Sequence, residues 1–264
     1  MRTLPGTASL VILLLASMAR PAAPQSHPVF EGMWGDPPVS AEDTFCAAYC
    51  TDAGLQRLGA LLDDPKNDTR PYVQLSAEAD NYQRDSYIRP LLTPAALKGF
   101  PLDPAKDPGF LRCEPWGLAR QIFARHQLEI HSRGDLLEMR YGEWDAKRIV
   151  HMAGGQRPAH PPVTPMGYSV GRYEGDALVI ESDAIAPNWL AMGGLYVSEH
   201  SPQLRIVERY TRSKDGKRLL LTATIDDPQV FRMPVTAKKV WSWSPGSKIA
   251  AYTSCEPPKG LLKR

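Results

Sequence analysis

The feature that most constrains the fold is a change in the spacing of apolar residues close to Cys113. Before this point apolar residues recur at helical spacing, and after it they alternate with polar ones, which is typical of strands that bury one face. Nine candidate strands follow this pattern, namely LEIHSR, LLEMRYGEW, KRIVHMA, YSVGRYE, ALVIESD, LRIVERYTR, RLLLTATID, TAKKVWSW and AAYTSC. The chain from residue 113 onward is therefore predicted to be β-rich.

The connections between these segments are short and carry turn signals such as Arg133-Gly134-Asp135. Connections of two to five residues join antiparallel neighbours. A sheet of so many strands closes most easily into a barrel, because closure removes the unpaired edges. We therefore predict a mainly β protein, with an antiparallel barrel of about eight or nine strands over residues 113–258.

Residues 24–112 are predicted to form a helical and irregular N-terminal extension. Ser40 and Asp43 resemble a capping box ahead of a run with helical periodicity, and Thr93 precedes a short second helix in PAALKGF. Residues 1–23 have the features of a signal peptide, because Arg2 is followed by the apolar run ASLVILLLASMA and then by small residues. That run is too short to span a bilayer. We expect an exported protein, periplasmic or secreted, without a transmembrane span.

Export makes disulfide bonds possible for the four cysteines, Cys46, Cys50, Cys113 and Cys255. Four cysteines allow three connectivities. We favour a local bond between Cys46 and Cys50 over a metal or redox site, because no histidine lies close to them in the sequence. Cys113 and Cys255 would then join the two ends of the β-rich region, which would stabilise the fold by ~4 to 5 kcal/mol on the chain-entropy model.

Several classes of function are disfavoured. The chain has 31 Lys and Arg against 29 Asp and Glu, a net charge of +2 without a basic run, so nucleic acid is not an expected partner. The motifs GxSxG, HExxH, GxxxxGK[ST] and GxGxxG are missing, which argues against serine hydrolases, zincins, P-loop proteins and dinucleotide enzymes. No cofactor and no metal site are expected.

Three residues are candidates for acid/base chemistry. His200 lies in a loop that leads into a strand, where a barrel mouth would be, although a solvent-exposed loop histidine is an equal alternative. Glu181 would be a desolvated acid if its strand face is interior, and a surface acid if that face is exterior. Glu208 is either a third site group or half of an ion pair with Arg172 or Arg148 that holds the barrel together.

Aromatic side chains cluster in the β-rich region and could line a ligand cavity, or could simply form the core. Tyr141 and Tyr168 are candidate hydrogen-bond donors to an oxygen of the ligand. Further candidates for ligand contact are Trp189, Trp144 and His151.

Two segments, CEPWGLAR at 113–120 and MGYSVGRYEGDALV at 166–179, resemble a broad family of uncharacterised exported bacterial proteins. That family carries a Cys-x-Pro-x-Gly-Leu-Pro-Arg segment, a Gly-His-Ser-Val-Gly-Arg-Trp-Glu-Gly-Asp hairpin and a His-Ser-Glu loop leading to Val-Glu-Arg. The resemblance covers about residues 90–256 and implies a lipocalin-like, or calycin-like, barrel without a known common activity. Here Tyr168, Pro202 and Arg205 replace the family's usual His, Glu and second His, whereas His200 and the acid at Glu181 are retained or conservatively replaced.

Two functions follow as expectations. The first is an exported barrel enzyme of the isomerase, hydratase or lyase type, which acts without a cofactor on an apolar substrate such as an aromatic or terpenoid compound. In it His200 is the base, Glu181 or Glu208 the acid, and Tyr141 a donor to the developing oxyanion. The alternative is a non-catalytic carrier of a hydrophobic ligand. A third hypothesis, a structural protein, predicts a barrel filled with side chains.

Overall fold

The computed structural model describes residues 29–35, 57, 60–61, 63–70, 74–75, 78–79, 88–103, 106–124, 126–152, 157–192, 195–251 and 255. The predicted signal peptide, most of the helix predicted after Ser40, and the pair Cys46 and Cys50 lie outside these residues.

Eleven strands are present in the part of the chain that the structure describes. They are β1 (Gly32–Gly35), β2 (Leu128–Arg133), β3 (Leu136–Tyr141), β4 (Lys147–Met152), β5 (Tyr168–Glu174), β6 (Ala177–Asp183), β7 (Trp189–Met192), β8 (Leu195–Glu199), β9 (Arg205–Arg212), β10 (Arg218–Asp226) and β11 (Val235–Trp243). The helices described are short: α1 (Pro94–Leu97), α2 (Pro108–Arg112) and α3 (Leu118–Gln121), with 3₁₀ turns at Pro65–Asn67 and Arg89–Leu91.

Nine of these strands form a closed barrel in the order β1-β11-β10-β9-β6-β5-β4-β3-β2, and β7 and β8 form a separate hairpin. The predicted mainly β barrel fold is confirmed. One pair departs from the antiparallel prediction, because β4 and β5 run parallel. Their connection is the long segment 153–167, and a parallel pair requires such a crossover instead of a tight turn.

Eight of the nine predicted segments coincide with β2 to β6 and β9 to β11. The ninth, AAYTSC, was predicted wrongly, because its described residues Ala250, Ala251 and Cys255 are not in a strand. The N-terminal extension instead supplies β1, which pairs with both β2 and β11 and so closes the barrel. The Trp243 ring lies against Gly32, where the backbone has a φ of +118° and has no room for a side chain.

Alternation along the strands divides the barrel wall into an interior and an outer face. Strand β6 buries Leu178, Ile180 and Ser182 in the interior and directs Glu181 outward. Strand β9 buries Ile206, Glu208 and Tyr210 and exposes the residues between them.

Connecting segments at one end of the barrel, here called the cap, comprise residues 88–103 and 106–124, the β7–β8 hairpin and residues 227–232. Backbone hydrogen bonds join the first of these segments to the hairpin and to residues 227–232. Thr93 begins α1 as predicted, since its hydroxyl accepts a hydrogen bond from the Ala96 N–H, and its own N–H donates to the Val230 carbonyl. Cys113 and Cys255 form the predicted disulfide, with an S–S distance of 2.06 Å. None of the described helices is long and apolar enough to cross a membrane.

Candidate functional site

A buried ion pair crosses the interior of the barrel. Arg148 on β4 donates to both carboxylate oxygens of Glu208 on β9, at 2.5 and 2.9 Å. Strands β5 and β6 lie between these two strands in the barrel order, so the side chains meet in the interior and not along the wall. The Tyr210 hydroxyl donates a third hydrogen bond, of 2.6 Å, to the same carboxylate. Of the two hypotheses for Glu208, the structure supports the ion pair with Arg148.

The remaining N–H groups of Arg148 are only partly used. One terminal nitrogen also lies 3.5 Å from the Ser182 hydroxyl, and the other lies 3.1 Å from the Met139 sulfur. Ser182 is in turn hydrogen-bonded to Ser169, with 2.8 Å between the hydroxyl oxygens. The Nε–H of Arg148 is buried and has no hydrogen-bond partner.

Tyr141 presents a second buried polar group without a partner. Its ring lies in the interior beside Arg148, with the guanidinium carbon 6.0 Å from the ring centroid, and its hydroxyl makes no hydrogen bond. Burial raises the pKa of the Tyr141 hydroxyl, so the group stays protonated and is available as a donor. We call the residues of this region the interior polar cluster: Tyr141, Arg148, Ser169, Ser182, Glu208 and Tyr210.

The interior polar cluster is electrically neutral but not fully hydrogen-bonded. Burial by itself would lower the pKa of Arg148, but the adjacent Glu208 carboxylate holds that pKa well above its usual value, so the pair is ionic. Burial also raises the pKa of Tyr210. A buried polar group without a partner costs about 1–3 kcal/mol. Two such groups within one cluster are a feature that a core selected only for stability would avoid.

His200 is also buried, which excludes the solvent-exposed alternative. Its Nδ1 lies 3.0 Å from the Ser201 carbonyl oxygen, whereas Nε2 is buried without a partner. Burial lowers the pKa of His200, so the ring is neutral near pH 7. The adjacent Ser201 binds the buried carboxylate of Asp227 through its N–H and its hydroxyl. No hydrogen bond joins the described atoms of His200 to the interior polar cluster.

The position of Glu181 contradicts one part of the predicted site. It lies on the outer face, where its carboxylate accepts a 2.5 Å hydrogen bond from Arg172, and its side chain is 54% exposed. Because the strand places Ile180 and Ser182 inward, Glu181 must point outward. Its predicted role as a desolvated acid required an interior strand face, and Glu181 lies on the outer one.

The predicted aromatic contacts are separated in space. Tyr168 stacks on His151, with ring centroids 4.7 Å apart, and Arg157 lies over the Tyr168 ring. Trp189 packs edge to face on Tyr196 in the cap, with a centroid distance of 5.7 Å. Elsewhere, Trp144 packs against Trp116, with centroids 6.2 Å apart. The structure thus brings Tyr141 and Glu208 together, but it distributes the other aromatic candidates over three contacts.

An open cleft of about 750 Å³ lies outside the barrel at its capped end. Its walls include Arg157, His160, Asp183, Arg205 and Asp226, and Arg157 is paired with Asp183 at 2.5 Å. The residues of the interior polar cluster do not line it. Among the described side chains, no three His, Cys, Asp or Glu residues are arranged to hold a metal ion.

From the sequence, Arg148 was named only as one of two alternative ion-pair partners of Glu208, although a signal that favours Arg148 was present. In KRIVHM, Arg148 is in phase with Val150, and in LRIVERYTR, Glu208 is in phase with Ile206 and Tyr210. Two opposite charges, each in phase with buried apolar residues, indicate a buried pair, because a lone charge would be too costly there.

The comparisons with known proteins do not assign this chain to a family. No protein-family model matches this chain, and no curated protein matches it significantly.

Proposed function

We propose that this protein is an exported barrel that binds a small apolar molecule in its interior, where the ligand contacts the interior polar cluster. The observation that carries the proposal is that the Tyr141 hydroxyl and the Arg148 Nε–H are both buried without partners, in side chains whose guanidinium carbon and ring centroid lie 6.0 Å apart. Buried polar groups in folded proteins are nearly always hydrogen-bonded. A ligand atom that accepts from these two donors would complete the cluster.

Small side chains beside the cluster support this location. Ala223 on β10 is directly opposite Glu208 on one side and Ala237 on the other. Both alanines are buried on the interior face. Larger interior side chains also border the cluster, since the Met139 sulfur lies 3.1 Å from Arg148 and the Trp241 ring stacks on Tyr210. Beside Glu208, however, the interior wall is formed by two small side chains.

The same contacts favour binding over the acid/base mechanism. The Glu208 carboxylate accepts three charge-assisted or hydroxyl hydrogen bonds, so it is engaged by Arg148 and Tyr210. Glu181 is on the outer face of the barrel, and no hydrogen bond among the described residues links His200 to the cluster. Catalysis is a second candidate on one observation, the buried and unpartnered Nε2 of a neutral His200, which has the form of a general base.

Native mass spectrometry tests the proposal on the purified protein with a panel of aromatic and terpenoid compounds. We expect one ligand per chain. Ala223→Leu should abolish binding because it fills the space beside Glu208, whereas Thr222→Leu, on the adjacent outward-facing position, should leave binding unchanged. Circular dichroism checks that both variants are folded. Equal binding by the two variants, or no binding by the wild-type protein, would contradict the proposal.

The same samples separate a carrier from an enzyme. A carrier releases its ligand with unchanged mass and retention time after long incubation. Chemical conversion of the ligand that is lost in His200→Ala would instead support the second candidate.

Export is part of the proposal and is supported by the Cys113–Cys255 disulfide and by the apolar N-terminal run. Fractionation of a bacterial host that expresses the full chain should place the protein outside the cytoplasm. A variant without residues 1–23 should remain in the cytoplasm. Cytoplasmic retention of both would refute export without affecting the ligand-binding proposal.

A further inference from the structure

The unpartnered groups of the interior polar cluster favour some chemical classes of ligand over others. The Arg148 Nε–H can only donate a hydrogen bond, and the protonated Tyr141 hydroxyl is free to donate one. Both groups are fully buried, so water does not compete freely for them. An sp² oxygen has two lone pairs and can accept from both donors at once.

The charge of the interior polar cluster further restricts the chemical class of the ligand. The single positive charge, on Arg148, is already matched by Glu208 through two hydrogen bonds. A carboxylate ligand would bring a second negative charge close to Glu208, and the interior polar cluster contains no second cation to receive it, so such a buried charge is strongly disfavoured there. An ammonium ligand would meet the Arg148 charge. The site therefore favours a neutral oxygen.

A ketone, aldehyde or ester also fits better than an alcohol. An alcohol oxygen can accept from the two donors, but its own proton then needs an acceptor. The Glu208 carboxylate already accepts three hydrogen bonds, from Arg148 and Tyr210, so it has little remaining capacity to accept another. A carbonyl oxygen has no such proton, so it leaves no polar hydrogen unsatisfied.

We infer that the ligand is a neutral carbonyl compound with an apolar body, whose oxygen accepts hydrogen bonds from Tyr141 and from the Nε–H of Arg148. The inference rests on the proposed binding function and names the ligand class of that same site. The apolar body would lie against neighbouring interior side chains, among them Met139, Ile180 and Ala223.

Two matched sets of compounds test the ligand class. The first set is acetophenone, 1-phenylethanol, ethylbenzene and benzoate, and the second is camphor, borneol, bornane and camphane carboxylate. Calorimetric titration of the wild-type protein should rank each set with the ketone first, about tenfold tighter than its hydrocarbon, which is the contribution of hydrogen bonds to one oxygen. The carboxylates should bind most weakly.

Tyr141→Phe removes one donor and keeps the ring. In this variant the ketones should lose about tenfold in affinity, whereas the hydrocarbons should bind as before. Tyr173→Phe is the matched control, because it makes the same change in a tyrosine whose ring stacks on Phe30. It should leave the ranking unchanged.

Infrared spectroscopy of bound ketone reports the hydrogen bonds directly. The carbonyl stretch should lie at lower frequency in the wild-type complex than in hexane, and it should return toward the hexane value in Tyr141→Phe. Tighter binding of the carboxylates, or a carbonyl frequency that Tyr141→Phe leaves unchanged, would overturn the inference.

The two proposals fail in different ways. If neither set binds at millimolar concentration, the proposed binding function and the inference both fail. If the compounds bind in the interior without preference for the ketones, as judged by loss of binding in Ala223→Leu, only the inference fails.

Discussion

Two arginine–glutamate pairs, one inside the barrel and one on its outer face, have the same nitrogen–oxygen distance but differ in burial. The Arg148–Glu208 pair inside the barrel and the Arg172–Glu181 pair outside it each have a shortest nitrogen–oxygen distance of 2.5 Å. The interior carboxylate is 0% exposed and the outer one is 54% exposed. Because an exposed pair exchanges its partner for water at little cost and a buried one cannot, equal geometry does not mean equal importance.

The two acids are close neighbours in the sheet. Ile180 is directly opposite Glu208 on the adjacent strands β6 and β9, and Glu181 is the next residue along β6. One residue step along a strand changes the face on which a side chain lies. Glu181 therefore lies one residue beyond the cross-strand partner of Glu208, and that single step places its side chain on the outer face.

The largest effect is expected from breaking the interior pair. Glu208→Gln keeps the shape of the side chain but leaves the charge of Arg148 buried and unpaired, which should cost about 3–5 kcal/mol of the free energy of unfolding. Urea unfolding monitored by tryptophan fluorescence measures this loss. A loss no larger than that of Glu181→Gln would contradict the distinction between the two pairs.

Removing both charges of the interior pair should restore most of this stability. Arg148→Met combined with Glu208→Leu replaces the pair by apolar side chains, and such replacements are often neutral or stabilising by about 1–4 kcal/mol. We expect the double variant to unfold at a higher urea concentration than Glu208→Gln. It should nevertheless bind ketones more weakly than the wild-type protein, since the Nε–H is gone. A double variant less stable than Glu208→Gln would show that the pair does more than neutralise a buried charge.

The contrast between buried and exposed groups extends to the histidines and predicts a pH dependence. Burial lowers the pKa of His200 in the folded state below the ordinary value of 6.5. The unfolded chain therefore binds a proton first as the pH falls, and the contribution of His200 to stability is present above pH 6.5 and decreases below it. His200→Gln should flatten the pH dependence of the unfolding free energy in this range. An unfolding free energy whose pH dependence is the same in His200→Gln as in the wild-type protein would contradict this expectation.

The smallest effect is expected at the outer pair. Glu181→Gln removes a surface carboxylate, so it should change the unfolding free energy by less than about 1 kcal/mol. The difference should shrink further in high salt, because ions screen exposed charges. Differential urea unfolding at low and high ionic strength measures it, and a loss that persists in high salt would be contrary to a solvated pair.

The barrel was predictable where each strand carries its own alternation. Strands β2 to β6 and β9 to β11 are long enough for that pattern to appear, and the Cys113–Cys255 bond was predicted from its position at the two ends of the region. The four-residue strand β1 has no such pattern, and it is held by backbone pairing to β2 and β11. Its place in the barrel is decided by contacts with residues far away in the chain.

The candidate site was only partly predictable for a related reason. Alternation groups Glu208 with Ile206 and Tyr210 on one face, but it does not say whether that face is interior, since Val207 on the other face is apolar as well. It also does not say which side chains meet across the interior. Arg148 and Glu208 are 60 residues apart and lie on strands that are not neighbours in the sheet.

The sequence by itself determined a β-rich chain with a disulfide joining its ends and with acids, tyrosines and arginines at known phases along the strands. Those properties depend on spacing within a segment and on local turn chemistry. The tertiary structure decided which face is interior, which strand closes the barrel, and that Arg148, Glu208, Tyr210 and Tyr141 meet inside it. These depend on closure of the sheet, which brings distant strands together and makes a buried charge tolerable only where its partner is opposite.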